Sequence, residues 1–113
     1  MPTPTPAFDC PYYAVVFVST FAAADSTYAD TATELLQRVR TIPGFLGVDS
    51  ARGHDGLGIT VSYFATTEAI DQWRNDPIHQ AGRTAGRDRW YDQFTVHITQ
   101  VQRSYDFTRT HTH

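Results

Sequence analysis

The chain has no lysine: its nine cations are all arginine, set against twelve acids for a net charge of −3. With the two signs so close to balance, there is no basic field to draw in nucleic acid and no acidic tract of the kind that solvates a linker. Cysteine occurs once, as Cys10, which excludes an internal disulfide and a cysteine-built metal cluster. Cys10 sits in the N-terminal lead-in and is read as incidental rather than as a nucleophile. No apolar run approaches the roughly 20 residues of a membrane span, so no membrane partner is expected. The opening "MPTPTPAFDCP" alternates proline where a secretory leader needs an apolar stretch, and it reads as an extended arm. The expected location is the cytoplasm. Asparagine is as scarce as cysteine, with Asn75 alone. Also missing are a phosphate-binding glycine loop, an HExxH helix and a serine nucleophile elbow.

What is present is aromatic and β-branched. At 113 residues the chain fits one domain. "YYAVVFVST", 12–20, reads as a strand with Tyr13, Val15 and Phe17 on one face and Ala14, Val16 and Val18 on the other, so both faces should be covered. In "DSTYADTATELLQRVRTI" the residues Tyr28, Ala32, Leu35, Leu36, Val39 and Ile42 recur at helical spacing. Asp25 or Ser26 is the expected cap, Thr31 with Glu34 is a weaker capping box one turn in, and Pro43-Gly44 is the stop. "FLGVDSAR" and "LGITVSYFA", 45–52 and 57–65, are strands joined by the turn "GHDG" at 53–56, where His54 is an exposed loop residue.

Thr66 or Thr67 caps a short helix that "NDP" interrupts. Pro77 cannot continue the first helix but suits the opening turn of a second one capped by Asp76, giving pieces at about 67–75 and 77–90. "QFTVHITQVQRSY", 93–105, is the last strand. Its parity switches after Ile98, which predicts either a bulge near Thr99-Gln100 or a strand end passing to a different neighbour. His111 and His113 belong to a frayed tail rather than to a metal site.

The order β-α-β-β-α-β is the ferredoxin-like split unit: an α+β fold with both helices on one face of a four-stranded antiparallel sheet. Yet the first strand is apolar on both faces, and the third carries Leu57, Ile59, Val61 and Tyr63 on one side with Phe64 on the other, so the open face would be apolar too. That is too much apolar surface for a lone soluble chain, and the economical cover is a second copy, sheet against sheet, in a homodimer with a barrel-like centre.

One stretch concentrates the chemistry. "WRNDPIHQAGRTAGRDRWY", 73–91, holds two Trp, one His and four Arg. Trp73 is either core packing or a pocket wall with its indole N–H as donor. His79 is the first candidate for a base, because imidazole is largely neutral near pH 7; its alternatives are a brace for the helix break or a subunit contact. His79, Arg83 and Arg87 fall at i, i+4 and i+8, a stripe that is either a solvated face or a holder for a phenolate or carboxylate. Asp88 and Asp92 are possible surface partners for these cations. Ile78, Ala81 and Ala85 form a small apolar stripe expected to press on the sheet. Tyr63 and His97 stand on strands, and one of them should look into the helix-covered side. Arg103 and Tyr105 read as interface or structural.

"YYAVVFVSTF", "LLQRVRTIPGFLGVDSAR", "AIDQWRNDPIHQAGRTAGRDRWYDQF" and "VQRSYDF" together resemble the antibiotic-biosynthesis-monooxygenase-like family of the dimeric α+β barrel superfamily, over roughly residues 12–107. The resemblance divides the chain into an arm at 1–11, the domain at 12–107 and a tail at 108–113. It implies a pocket between helices and sheet in each subunit. Members that oxidise anthrones or quinols use no flavin, haem or metal: the substrate loses a proton and its anion passes an electron to O₂. Such a site needs an apolar cavity, a proton acceptor and a donor or cation for the anion. The resemblance therefore implies Trp73 as the orienting group, His79 as base and Arg83 as the cation, with Tyr63, Phe17, Trp90 and His97 at the substrate, a small aromatic or quinol-like molecule. The chain departs from the family's haem-degrading branch, since Asn75 lies at the helix break and His79 follows Trp73 too closely. It also lacks the sheet-side Asn that many of the monooxygenases use. Two alternatives follow: a non-catalytic dimer that binds an apolar metabolite, and a haem binder through His79 or His97.

Overall fold

The computed structural model describes residues 3–22 and 26–110. The elements run β1 (Tyr12–Phe21), α1 (Ser26–Val39), β2 (Phe45–Arg52), β3 (Leu57–Phe64), α2 (Thr67–Arg74), α3 (Pro77–Ala85), a π turn (Gly86–Trp90) and β4 (Tyr91–Val101). The sheet is four-stranded and antiparallel in the order β2-β3-β1-β4. This is the expected ferredoxin-like arrangement.

The register assigns the two faces. Tyr13 lies opposite Phe64, Val15 opposite Ile98 and Phe17 opposite Val96, while Phe45 lies opposite Phe64. These residues share the helix-covered face, where Phe64, Val39, Ile42, Ala69 and Ile70 form the buried core with Tyr13, Val15, Leu36, Phe45 and Trp73 packed on it. Phe64 is fully buried, which removes a whole phenyl ring from water and is worth about 2–3 kcal/mol. The hairpin turn needs Gly56 at φ +92°, a conformation with no steric cost only for glycine.

α1 stops at Val39, three residues short of its apolar stripe. Thr41 N–H and Ile42 N–H then bond back to the carbonyls of Arg38 and Val39, each at 3.0 Å, as a tighter turn that still delivers Ile42 to the core. The candidate cap Asp25 and the side chain of Ser26 lie outside the described residues, as do His111 and His113. Ile78, Ala81 and Ala85 do not press on the sheet. They line a groove against Thr31 and Glu34 of α1, because Gly82 lets Leu35 approach too closely for any side chain there.

No bulge occurs at Thr99-Gln100. β1 and β4 pair without interruption from Gln93 to Val101, and the register slips instead between Thr20 and Phe21, opposite Tyr91. The parity switch marks a strand end. Beyond Val101 the chain turns to the N-terminal arm, where Ser104 Oγ donates to Phe8 O (3.2 Å) and Ala7 N–H to Asp106 Oδ2 (2.9 Å). The arm in turn lies on the open sheet face, with Thr5 N–H and Oγ1 on Asp49 Oδ1 (2.8 and 3.0 Å) and Phe8 edge-on to Tyr12.

Candidate functional site

The break between α2 and α3 builds the site. Proline disfavours helical geometry in the residue before it, and Asp76 is extended (φ −65°, ψ 129°). α2 therefore ends at Arg74 and the chain restarts as α3. In one unbroken helix, Trp73 and His79 would point to different sides. Here the restart folds the imidazole back over the indole: the ring centroids are 4.1 Å apart with 7° between planes.

His79 is held twice. Its backbone N–H donates to Asp76 Oδ1 (3.3 Å), as does that of Ile78 (3.0 Å), and its Nδ1 lies 2.8 Å from Trp73 O. A carbonyl oxygen only accepts, so Nδ1 carries the hydrogen and the lone pair sits on Nε2. Burial lowers the pKa of His79 below the ordinary histidine range; the Arg83 charge acts in the same direction, while the Trp73 carbonyl and Asp76 oppose them. The ring is a neutral proton acceptor near pH 7.

Asp76 is buried and bonded to Arg38 of α1, Nε to Oδ2 at 2.9 Å. Burial alone would raise its carboxyl; Arg38 and the two backbone N–H groups outweigh that and keep it below the usual carboxylate range. Arg83, one turn beyond His79, is half-buried and makes no hydrogen bond or ion pair among the described residues. Arg87, a further turn along, is exposed with its guanidinium 5.8 Å from the Phe94 ring.

That contact brings the Arg87 end of the His79–Arg83–Arg87 stripe to the helix-side row of β4. Phe94, Val96 and Ile98 on that row are 39%, 46% and 58% exposed, in order away from Arg87. They lie across from Ser19, Phe17 and Val15 of β1. Arg87 of the π turn thus approaches one end of an apolar, partly exposed row on the helix side of β4.

Phe17 packs at the Arg87 end of this row, on Phe94 and Tyr91 (5.4 and 5.3 Å). Trp90 is buried there edge-on to Tyr28, which also meets Phe21. Burial and the neighbouring Tyr28 hydroxyl raise the Tyr91 phenol far above its ordinary range, so it stays protonated. Arg52 lies 3.7 Å over Phe21 and donates to Ser19 Oγ (2.6 Å), Ser19 O and Gly56 O. Its charge is spent inside the fold.

Tyr63 and His97 do not join His79. Neither looks into the helix-covered side: Tyr63 pairs with Ala14 and His97 with Val16, which puts both on the open sheet face. Tyr63 donates to Asp49 Oδ2 (3.3 Å), and burial first, then Asp49, raises its pKa. Alternating side chains explain the error: Tyr63 is one residue from Phe64, and that residue reverses the face. Sequence reasoning also missed Arg38, which sits 38 residues from Asp76 with no local signal linking them, and the exposed helix-side row of β4. Among the described residues no three His, Cys, Asp or Glu side chains converge on a metal position. An open depression of about 440 Å³ is lined by Ser19, Thr20, Leu57, Gln93 and Phe94, so it meets the β4 row at Phe94, and one of about 300 Å³ lies between α1 and α3; neither is lined by His79.

Residues 11–85 match the family described as antibiotic biosynthesis monooxygenase. The chain belongs to that family. It is 44% identical over 101 residues to the uncharacterized protein YqjZ of Bacillus subtilis (strain 168), covering 89% of this chain and 85% of the relative. Among solved structures it resembles a variant of SnoaB, a cofactor-independent oxygenase from Streptomyces nogalater, with TM-score 0.71 and 14% identity, covering 82% of this chain and 95% of that one. A Shewanella oneidensis protein gives TM-score 0.70 at 13% identity, over 80% of this chain and 91% of that chain. At such identities the structural likeness fixes the fold, and the monooxygenase-type architecture of this antibiotic biosynthesis monooxygenase family member rests on the family match.

Proposed function

We propose that this chain is a cofactor-independent monooxygenase that oxidises an aromatic or quinol-like small molecule with O₂, and that the substrate lies between His79 and Arg83 of α3 and the apolar helix-side row of β4. The observation that carries the reading is the contact of His79 Nδ1 with Trp73 O at 2.8 Å, which assigns the hydrogen to Nδ1 and leaves Nε2 as the proton acceptor of a buried ring. The unpaired guanidinium of Arg83 supplies the cation, and the exposed Val96–Ile98 row supplies a floor for a flat apolar ring. Trp73 fixes the imidazole plane and orients the ligand.

The chemistry balances without an added reductant. A phenol or enol O–H gives its proton to Nε2, and Arg83 steadies the resulting anion. The anion passes one electron to O₂, and the two radicals combine in a new carbon–oxygen bond. The imidazolium returns its proton to the peroxide anion, and loss of water from the hydroperoxide turns a CH₂ group into a carbonyl, with one oxygen atom in the product and one in water. Both electron pairs come from the substrate, so flavin, haem and metal have no step to perform.

The same reading includes a homodimer. Val16, Val18, Leu57, Ile59 and Val61 share the open sheet face, and Leu57 and Ile59 are each 45% exposed. A second copy would cover them sheet against sheet. No described helix is long and apolar enough to cross a membrane, and the proposed location is the cytoplasm.

The test is oxygen uptake by purified protein with a panel of anthrones and hydroquinones, compared with His79→Ala. The expected result is uptake with at least one compound, reduced about 100-fold or more in the variant, the usual yield of a positioned base. Uptake unchanged by the substitution would overturn the role of His79. No uptake across the panel would favour a ligand-binding protein without turnover.

A further inference from the structure

We propose that Asp76 and Arg38 are a positioning pair for His79: Arg38 of α1 locks the Asp76 carboxylate, and the carboxylate locks the first turn of α3 in the rotation that sets the imidazole on Trp73. This inference rests on the reading of His79 as the base.

The geometry is a relay of three anchors. Arg38 Nε holds Oδ2 of Asp76 at 2.9 Å, and Oδ1 of the same carboxylate receives the backbone N–H groups of Ile78 and His79. His79 is the third residue of α3, so the bond that caps the helix ends on the residue that carries the imidazole. The ring is then tied at Nδ1 to Trp73 O (2.8 Å), the last full turn of α2. Backbone and ring of one residue are pinned from the two sides of the helix break, which leaves little freedom at either side-chain torsion. Because one carboxylate oxygen is engaged by each helix, the carboxylate cannot rotate without breaking a bond to α1 or to α3.

A simple cap does not need this much. Serine, threonine or asparagine closes a helix N-terminus about as well as aspartate, without a buried charge that must be paired. Asp76 is 7% exposed and meets its cation from a different helix. The extra requirement is met by the charge as well as by the bond. His79 must be neutral before proton transfer and cationic after it. The groups facing it are the Trp73 carbonyl on α2, Arg83 and Asp76 at α3, and Arg38 behind Asp76 on α1; Asp76 is the full negative charge among them, and it favours the imidazolium against burial and Arg83.

Three variants of the full chain test the pair. Arg38→Met keeps the apolar stem of a half-exposed side chain and removes its donor. Asp76→Asn keeps an acceptor for the two backbone N–H groups and removes the charge. Arg38→Lys restores the charge with a different reach. The first readout is the ring ¹⁵N chemical shifts of His79 across a pH titration, which needs no substrate, with thermal melting alongside. The second is kcat and KM for oxygen uptake with whichever quinol or anthrone is turned over.

The expected result is that Arg38→Met and Asp76→Asn both melt as folded proteins, yet show mixed Nδ1–H and Nε2–H tautomers of His79 in place of one. Asp76→Asn should also titrate at lower pH than the parent, and Arg38→Lys should recover part of the single-tautomer signal. Where turnover is measurable, kcat should fall about tenfold with KM little changed. An unaltered His79 tautomer and midpoint in both Arg38→Met and Asp76→Asn would overturn the proposal and leave Asp76 as a helix cap. The ring signal reports on the pair even if His79→Ala leaves oxygen uptake intact, so failure of the pair and failure of the oxygenase reading give different results.

Discussion

The imidazole of His79 lies flat on the indole of Trp73, 4.1 Å centroid to centroid, although the two are six residues apart in a helical region. Asp76-Pro77 makes this possible by ending one helix and starting another between them. A local rule about proline is thus converted into a tertiary arrangement, and the arrangement fixes which ring nitrogen of His79 is free.

A pH dependence follows from this burial. His79 should titrate below the ordinary histidine value of about 6.5. The unfolded chain then binds the proton more readily than the folded one, so this group's contribution to stability is complete above about pH 6.5 and is lost as pH falls toward the folded midpoint. Oxygen uptake that needs the neutral ring should rise with pH through the same lowered midpoint. NMR titration of the ring and a pH–rate profile of kcat/KM measure the two independently. A midpoint at or above 6.5 by NMR would contradict the burial argument.

The fold was legible because its signals are local and repeated. Turn chemistry at Pro43-Gly44 and 53–56, the break at "NDP" and the apolar runs of β1 and β3 place every element within a few residues. The cap at Asp76 was legible for the same reason. The faces were harder. Tyr63 and His97 were placed on strands correctly, but one step along a strand reverses the side chain, and only the pairing of Tyr63 with Ala14 and of His97 with Val16 shows them on the open face. Arg38 was not legible as a site residue, because nothing local connects α1 to a carboxylate 38 residues away. The parity switch after Ile98 coincides with the end of β4 at Val101, and the bonds of Ser104 and Asp106 to the arm beyond it are ones no pattern within β4 contains.

Those bonds make the arm testable. Asp49 Oδ1 accepts both Thr5 donors while its Oδ2 accepts from Tyr63, and a side chain on Gly47 would come within 2.6 Å of Thr5 Cγ2. Gly47→Val should lift the arm from the sheet, and Asp49→Ala should do so by removing its acceptor. Each lost bond is worth about 1 kcal/mol net, so a few degrees of melting temperature and faster proteolytic nicking within residues 3–11 are expected. Oxygen uptake should change little, since Gly47 and Asp49 are on the sheet face opposite the helices. Unchanged proteolysis in both variants would show that the arm is not held by these contacts.

The dimer has its own substitution. Ile59 is 45% exposed in the middle of the open face, with Val18 as its cross-strand neighbour. A carboxylate there costs a single chain little, because the side chain is half in water, but it would place a charge in the centre of a sheet-on-sheet interface. Ile59→Asp should therefore lower the sedimentation mass from two copies to one while the far-ultraviolet dichroism stays that of the parent. A parent protein that sediments as one copy at micromolar concentration would remove the dimer from the reading.

Haem binding separates the oxygenase from its alternative through the same histidine. An Nδ1–H held by a backbone carbonyl leaves Nε2 free, and a metal ligand wants that nitrogen as much as a proton does. The surroundings decide between them. One face of the imidazole is covered by Trp73, the half-buried Arg83 charge stands one turn away, and neither the depression beside Thr20 and Leu57 nor that between α1 and α3 is lined by His79. A proton or a phenolic hydroxyl needs one approach to Nε2, whereas a porphyrin needs a broad slot across it. Haemin titrated into the protein should therefore give no saturable Soret shift that depends on His79. A saturable shift that disappears in His79→Ala would show that the surroundings of His79 open wide enough for a macrocycle, and would move the function from substrate deprotonation to haem ligation at the same atom.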